Sequence, residues 1–576
     1  MRKKIKYIVL VLSCIAMFSC DEDFLENKPL DKFSEEDVWN DVNLAQGFIY
    51  RTYGQVMIEM VKNPLGQWNA PGSFSDDFTD NVAISNNNIV AKDLLDKNFD
   101  AGWDVFEIIR NTNLIIDRVA ASEGITEALK GDLIAQGKVL RAMIYYSRAR
   151  LFGKYIIIDK VLTPEDDLKL SRSSTIKEVY DFILNDLAEA AIDLPATAEA
   201  GRLTQGAAYA LIAEIALHAA AYSESGKNEF YQMSKKASED LFGLGYSLDT
   251  DYSALTSDYN FALNSNEIIL GYFRHADITQ TKRTPQQRIV PNCSDAKNHP
   301  WVQPKLVESI EGWAGRWPSN ELVNDYLVID AADNTAKRWN ETSQYLDFMA
   351  NGGYVSKAIF KNRDARFYAS IAHDSSKYFN NLITIRKGGN MHWTSNAAGN
   401  WSMTKSGFYF RKSVFEGVKL WANDFVPFHH SIMRLGRSYL NYAEVMLRLN
   451  DPAKALEYIN MTRVAHGGLP ELSTGLSIDE AWDYYKIERR VELFFENDRY
   501  WSLLRWGKEA GLDVIPELNS GQTFFEVSED GMSYEIIEQP LNKSENERVF
   551  TSRRYLFPVP EKEILLNGNL DQNPGY

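Results

Sequence analysis

Cysteine is nearly missing from this chain, with three in 576 residues. Cys14 and Cys20 fall within the first twenty positions, which leaves Cys293 without a partner. That excludes a disulfide framework and a Cys-rich metal cluster, and Cys293 is expected to be a small buried side chain. Basic charge is also in deficit, with 62 Lys+Arg against 79 Asp+Glu and a formal net charge of −17. Nucleic acid, which needs a basic stripe, is excluded as a partner, as is purely electrostatic docking on anionic lipid. None of GxxxxGK[ST], GxGxxG, HExxH or GxSxG occurs. Ser402-x-x-Lys405 has no companion Ser-Asp-Asn or Lys-Thr-Gly element and is assigned to chance. Histidines are few and scattered, and the adjacent His429-His430 would point apart on a strand, which does not suit a shared metal. The chain reads as neither enzyme nor metalloprotein, and no cofactor is expected.

What is present begins with Arg2, Lys3, Lys4 and Lys6, followed by an apolar run from Tyr7 to Phe18. The run is too short to span a bilayer of ~30 Å as a helix and reads as a secretory signal. Met17-Phe18-Ser19-Cys20 resembles a bacterial lipoprotein cleavage box, in which Cys20 becomes the lipid-bearing first residue. Asp21-Glu22-Asp23 resembles a signal for export to the cell surface. The expectation is a leader over 1–19 and a lipidated tether over 20–33. Cleavage there removes four basic residues and leaves 58 against 79, a formal net charge of −21.

A chain of 576 residues exceeds one ordinary core, so two interlocked subdomains are expected. Residues 34–245 read as successive helices. Ser34 with Asp37 and Thr175 with Glu178 resemble capping boxes, and Leu140, Met143, Ile144 and Leu151 mark a buried stripe. Gly206-x-x-Tyr209 opens an alanine-rich helix, and its pair runs from about Asn228 to Phe242. Paired helices of this length suggest helical-hairpin repeats. Residues 246–428 hold seven of the thirteen Trp, with Gly-Gly turns and short strand-like runs at Leu382–Arg386 and Phe408–Arg411, and read as an irregular, loop-rich insert. Residues 429–576 return to helices: Arg434–Leu449 and Pro452–Ala465 form a hairpin stopped by Gly467-Gly468, and Ser477 with Glu480 caps the next helix.

Two acidic clusters bear on chemistry. Glu488, Glu492 and Glu496 lie at helical spacing, and like charges there repel unless cations sit between them. Arg489, Arg490, Arg499 and Arg505 are the cations expected, in a structural ion network. Asp76-Asp77 and Asp80 match no known calcium-loop spacing and read as a capped, solvated turn.

Several segments resemble, in order and along the whole length after the leader, the SusD/RagB family of nutrient-binding outer-membrane lipoproteins. They are Cys20-Asp-Glu-Asp-Phe-Leu-Glu-Asn-Lys-Pro29, Ser75-Asp-Asp-Phe78, Arg141-Ala-Met-Ile-Tyr-Tyr146 and Leu151-Phe-Gly153. Ile432-Met-Arg-Leu435 with Tyr439-Leu-Asn-Tyr-Ala-Glu444 follows, then Glu488-Arg-Arg-Val-Glu-Leu493 with Glu496, Arg499 and Arg505-Trp-Gly507. Phe557-Pro-Val-Pro560 with Gln572-Asn-Pro-Gly-Tyr576 closes the pattern. Two departures stand out: no proline follows the Gly153 turn, and Asn497 replaces a common glycine. The resemblance implies a mainly α, tetratricopeptide-like helical-hairpin scaffold with an irregular insert. It further implies oligosaccharide or polysaccharide capture at the outer membrane and delivery to a SusC-like TonB-dependent transporter.

Sugar rings pair apolar C–H faces with polar edges, so an exposed indole beside amides, carboxylates or Arg suits them. The ligand contacts expected on that ground are Trp68, Trp301, Trp317, Trp393 and Trp401, with Asn86 and Asn88 on a polar tip. Trp103, Trp482, Trp501 and Trp506 are assigned to the core. Peptide capture and a helical scaffold without a ligand are the alternatives, and the Trp-rich insert favours a glycan over both.

Overall fold

The computed structural model describes residues 35–61, 74–84, 89–293, 309–394, 402–538 and 547–576. The N-terminal half is built from long helices: α1 (Val42–Val61), α2 (Phe106–Ala121), α3 (Glu127–Phe152), α4 (Ile176–Asp193), α5 (Gln205–Tyr222) and α6 (Lys227–Phe242). Their starts follow from local chemistry. The Thr175 side chain accepts from the Glu178 N–H and the Thr204 side chain from the Ala207 N–H, satisfying donors that a first helical turn leaves free. The Glu178 carboxylate reaches back to the Ser174 N–H, one residue before the cap. The helix α3 stops at Gly153, whose φ of 69° is open to glycine without a Cβ penalty. No proline is needed after it.

Consecutive helices pack pairwise, α2 on α3, α3 on α4, α4 on α5 and α5 on α6. The alanines of α5 are almost all buried, so its neighbours approach closely. A C-terminal set, α7 (Leu435–Arg448), α8 (Pro452–Ala465), α9 (Ile478–Glu492) and α10 (Arg499–Glu509), repeats the pattern, and α7 and α10 fold back onto α5. One continuous hydrophobic core joins both sets. No helix among the described residues is long and apolar enough to cross a membrane.

A second core lies in the middle part. It gathers Ile289, Trp317, Tyr326, Phe360, Phe367, Phe408 and Phe410. It also recruits Val82 and Ile84, then Val491, Phe494 and Phe495, then Phe525 and Val527, all from outside 246–428. The strands here are short: β1 (Val82–Ile84) pairs with β3 (Arg316–Pro318), and the two strand-like runs shrink to Asn381–Leu382 and Tyr409–Phe410. Two longer antiparallel pairs frame this lobe. Between β2 (Ile268–Arg274) and β4 (Phe428–Arg434), His429 and His430 alternate in direction and are both buried, and burial pushes both pKa values down to about 4. Strand β5 (Thr523–Val527) pairs with β6 (Tyr534–Glu538), Phe525 lying opposite Ile536.

Candidate functional site

The β5–β6 hairpin divides the open surface of the second lobe. Side chains alternate across a strand, so Phe524, Glu526 and Ile537 share one face while Thr523, Phe525, Tyr534 and Ile536 share the other. Each face walls a separate cavity.

The first cavity, about 520 Å³, has Trp393 at its edge. Its indole is 38% exposed. A tight turn presents it: the Asn390 carboxamide oxygen accepts from the Thr384 N–H at 2.8 Å, and the Met391 N–H donates to the Thr384 carbonyl. His392 is buried beneath, its ring 5.7 Å from that of Trp393 and its Nδ1 2.6 Å from Thr394 Oγ1. Burial lowers its pKa against the pull of Glu526, whose Oε1 lies 3.4 Å from Nε2. Lys387 Nζ sits 3.0 Å from the other oxygen of Glu526. Gly407 lets the β5 backbone approach; its φ is 90° and a Cβ would run into the Phe525 carbonyl. The result is an indole face beside the Lys387 and Lys405 ammoniums, hydroxyls and a single carboxylate that is already paired. Hydrolysis of a glycosidic bond by the usual route uses two carboxylates flanking it, whereas capture needs only the platform and the polar edge.

Of the other expected contacts, Trp317 is corrected. It is 1% exposed inside the second core, because pairing of β3 with β1 turns its side chain inward. Trp68, Asn86, Asn88, Trp301 and Trp401, and the lipid-site Cys20, lie outside the described residues. Trp103 and Trp501 are buried, while Trp482 and Trp506 are half-buried against the first core. Sequence reasoning passed over Trp313, which is 36% exposed with the Arg288 guanidinium 5.4 Å over its ring. Its signal was there, four positions before Trp317 in the same Gly-rich run. Glu526 and Lys387 carried none, since the fold brings them together from 139 positions apart.

Both acidic clusters depart from expectation. Asp76, Asp77 and Asp80 are buried rather than solvated. Asp80 pairs with Arg490 and Arg499, Asp77 pairs with Arg316 at 2.6 Å, and Asp76 accepts from Asn81 while burial pushes its carboxyl up to about 7. The glutamates do sit in an ion network, but with other cations. Glu488 and Glu492 meet Arg366, Glu492 and Glu496 meet Arg434, and Lys412 joins Glu496 at 2.6 Å. Arg489 turns to Asp498, Arg490 to Asp80 and Asp325, Arg499 to Asp80 and Arg505 to Glu444. The helix ends at Glu492, so Glu496 leaves its face, and arginines one or two positions along point elsewhere.

Glu267, His466 and Glu492 form the one group of described side chains close enough to hold a metal ion. The two carboxylates instead raise the His466 pKa to about 10, so both ring nitrogens carry protons and neither offers a lone pair. Arg434 already bridges both glutamates. The group is an ion cluster.

A helical-hairpin scaffold carrying a loop-built lobe with an open, aromatic-edged cleft defines the class of this protein. The chain belongs to the SusD family, whose model matches residues 266–576, and a model described as "Starch-binding associating with outer membrane" matches 23–217. It is similar to SusD-like protein P25 of Formosa agariphila, 22% identical over 569 residues, covering 89% of this chain and 91% of that one. Among solved structures, a SusD-like protein of Bacteroides fragilis superposes with a TM-score of 0.73 at 24% identity, covering 96% of this chain and 100% of the other. A SusD-like carbohydrate binding protein of the same organism gives 0.72 at 19% identity, with 93% and 100% covered.

Proposed function

We propose that this chain captures an oligosaccharide or polysaccharide at the outer membrane without altering it. In this reading it passes the glycan to a SusC-like TonB-dependent transporter and is held at the cell surface through a lipid on Cys20. The half-exposed Trp393 over a cleft of polar side chains carries the reading, because an indole face with hydroxyl, ammonium and carboxylate groups at its rim matches a sugar ring. The starch-binding, outer-membrane description of one matching model supports it, as does the carbohydrate-binding name of one structural neighbour. Trp68, Asn86, Asn88, Trp301 and Trp401 are proposed as further contacts. The test is retardation of soluble protein, begun after Cys20, in native gels cast with a panel of polysaccharides. One glycan is expected to retard the protein, and Trp393→Ala should weaken that binding about tenfold while leaving the circular dichroism unchanged. No retardation by any glycan would discard this reading in favour of peptide capture.

A further inference from the structure

The opposite face of the β5–β6 hairpin walls a larger cavity of about 800 Å³, against α9 and the short helix Asn320–Asp325. Arg363 lies in its wall, 4% exposed. Its Nε donates to the Ile359 carbonyl at 2.7 Å, and its Nη1 donates to those of Val323 and Tyr326 at 3.0 and 2.7 Å. Those carbonyls end two short helices, so two of the three guanidinium nitrogens have a structural task. Nη2 has no hydrogen-bond partner among the described residues, and no carboxylate there pairs with Arg363. The other arginines of this wall are matched: Arg338 and Arg490 by Asp325, and Arg499 by Asp80.

The Phe367 ring lies 5.2 Å from the guanidinium carbon, but an aromatic face does not replace a counter-ion, and burial pulls the Arg363 pKa down to about 10. In a chain of net charge −17 carboxylates abound, yet none among the described residues pairs with this one. Around it the cavity offers what a sugar ring needs. Trp339 and Tyr534 supply aromatic surface, Asn324 and Asn340 supply amides whose side chains have no hydrogen-bond partner among the described residues, and Glu321 Oε2 is buried without one there. Burial raises the Glu321 carboxyl, and its Oε1 is held by the Thr523 N–H and hydroxyl at 2.8 and 2.6 Å. Asp483, Glu517 and Lys486 also line the cavity.

We propose that this cavity is a second ligand site, selecting a glycan unit that carries an oxyanion, with Arg363 Nη2 as the donor to that group. This rests on the glycan-capturing reading above. A uronate carboxylate and a sulfate ester share the chemistry. The test is titration calorimetry of the soluble chain with oligogalacturonate and its carboxyl-reduced counterpart, and with a sulfated galactan oligosaccharide and its desulfated counterpart. At least one acidic form is expected to bind ten times more tightly than its neutral counterpart, and the arm that does so names the source. Arg363→Gln should erase the difference. Because Arg363 also ends two helices, Asn324→Trp, which adds bulk to the cavity wall and keeps the Arg363 side chain, should erase the difference too. Equal affinity within both pairs, or a difference that survives both substitutions, would overturn the proposal. Neutral glycans bound through Trp393 with no acidic preference would overturn it alone, whereas no binding of any glycan would remove the glycan reading as well.

Discussion

His466 shows how much one side chain depends on its surroundings. Nδ1 lies 2.8 Å from Glu492 and Nε2 lies 3.2 Å from Glu267 and 3.0 Å from the Asp249 carbonyl, with the Tyr252 ring alongside. The folded pKa of about 10 stands above the unfolded value of 6.5, so the charged ring stabilises the fold fully below pH 6.5. That contribution falls as pH rises through 10. Melting temperature followed from pH 6 to pH 10 should therefore drop more steeply for the wild type than for His466→Gln. Parallel slopes would mean that His466 is neutral in the fold. Asn497 is instructive at the same scale. Its φ of 58° is the left-handed region that glycine enters freely and asparagine tolerates best among other residues. The departure from the family pattern is thus a conservative one in backbone terms.

Among elements, the β5–β6 hairpin governs the proposed binding surface, since its two faces wall two cavities. It is seated by the Phe525 N–H donating to the Ser406 carbonyl at 3.0 Å, directly before Gly407. Gly407→Ala would strain a φ of 90° and push against the Phe525 carbonyl. Strain of this kind costs ~1–3 kcal/mol before any clash. The expected result is a lower urea midpoint together with weaker glycan binding. An unchanged midpoint would show that the hairpin can shift without loss. Helix starts behave more locally: Ser477 and Glu480 form a full capping box, as their spacing alone indicates.

At the scale of the molecule, the stretch Glu488–Tyr500 stitches the two cores together. Val491, Phe494 and Phe495 enter the second core, while Leu493 and Tyr500 enter the first. Between the cores lies the ion network, in which Arg366, adjacent to Phe367 of the second core, binds Glu488, Glu492 and Asp364. Arg366→Met would leave three buried carboxylates short of a cation. Breaking one side of a buried pair costs ~3–5 kcal/mol, so a loss of that size is expected in urea unfolding. A loss below ~1 kcal/mol would mean that the network is dispensable for joining the lobes.

Much of this architecture is legible in one dimension. Helix starts at Thr175 and Ser477, the hairpin of α7 and α8 and the loop-rich middle part follow from short-range rules, because caps and periodicity act within a turn or two. The family is legible from motifs that are mostly packing elements. Residue identity alone could not say which tryptophan faces solvent: Trp317 and Trp393 occupy similar Gly-rich contexts, and strand pairing buries one while a turn exposes the other. Nor could it assign the cations of Glu488, Glu492 and Glu496, which come from Arg366, Lys412, Arg434 and His466. The sequence by itself determined the helices, their caps and the family. The tertiary structure alone decided the ion partners, the exposed indole and the burial of Arg363 with no carboxylate partner among the described residues, because burial and Coulomb interaction depend on distances in space that separation along the chain does not encode.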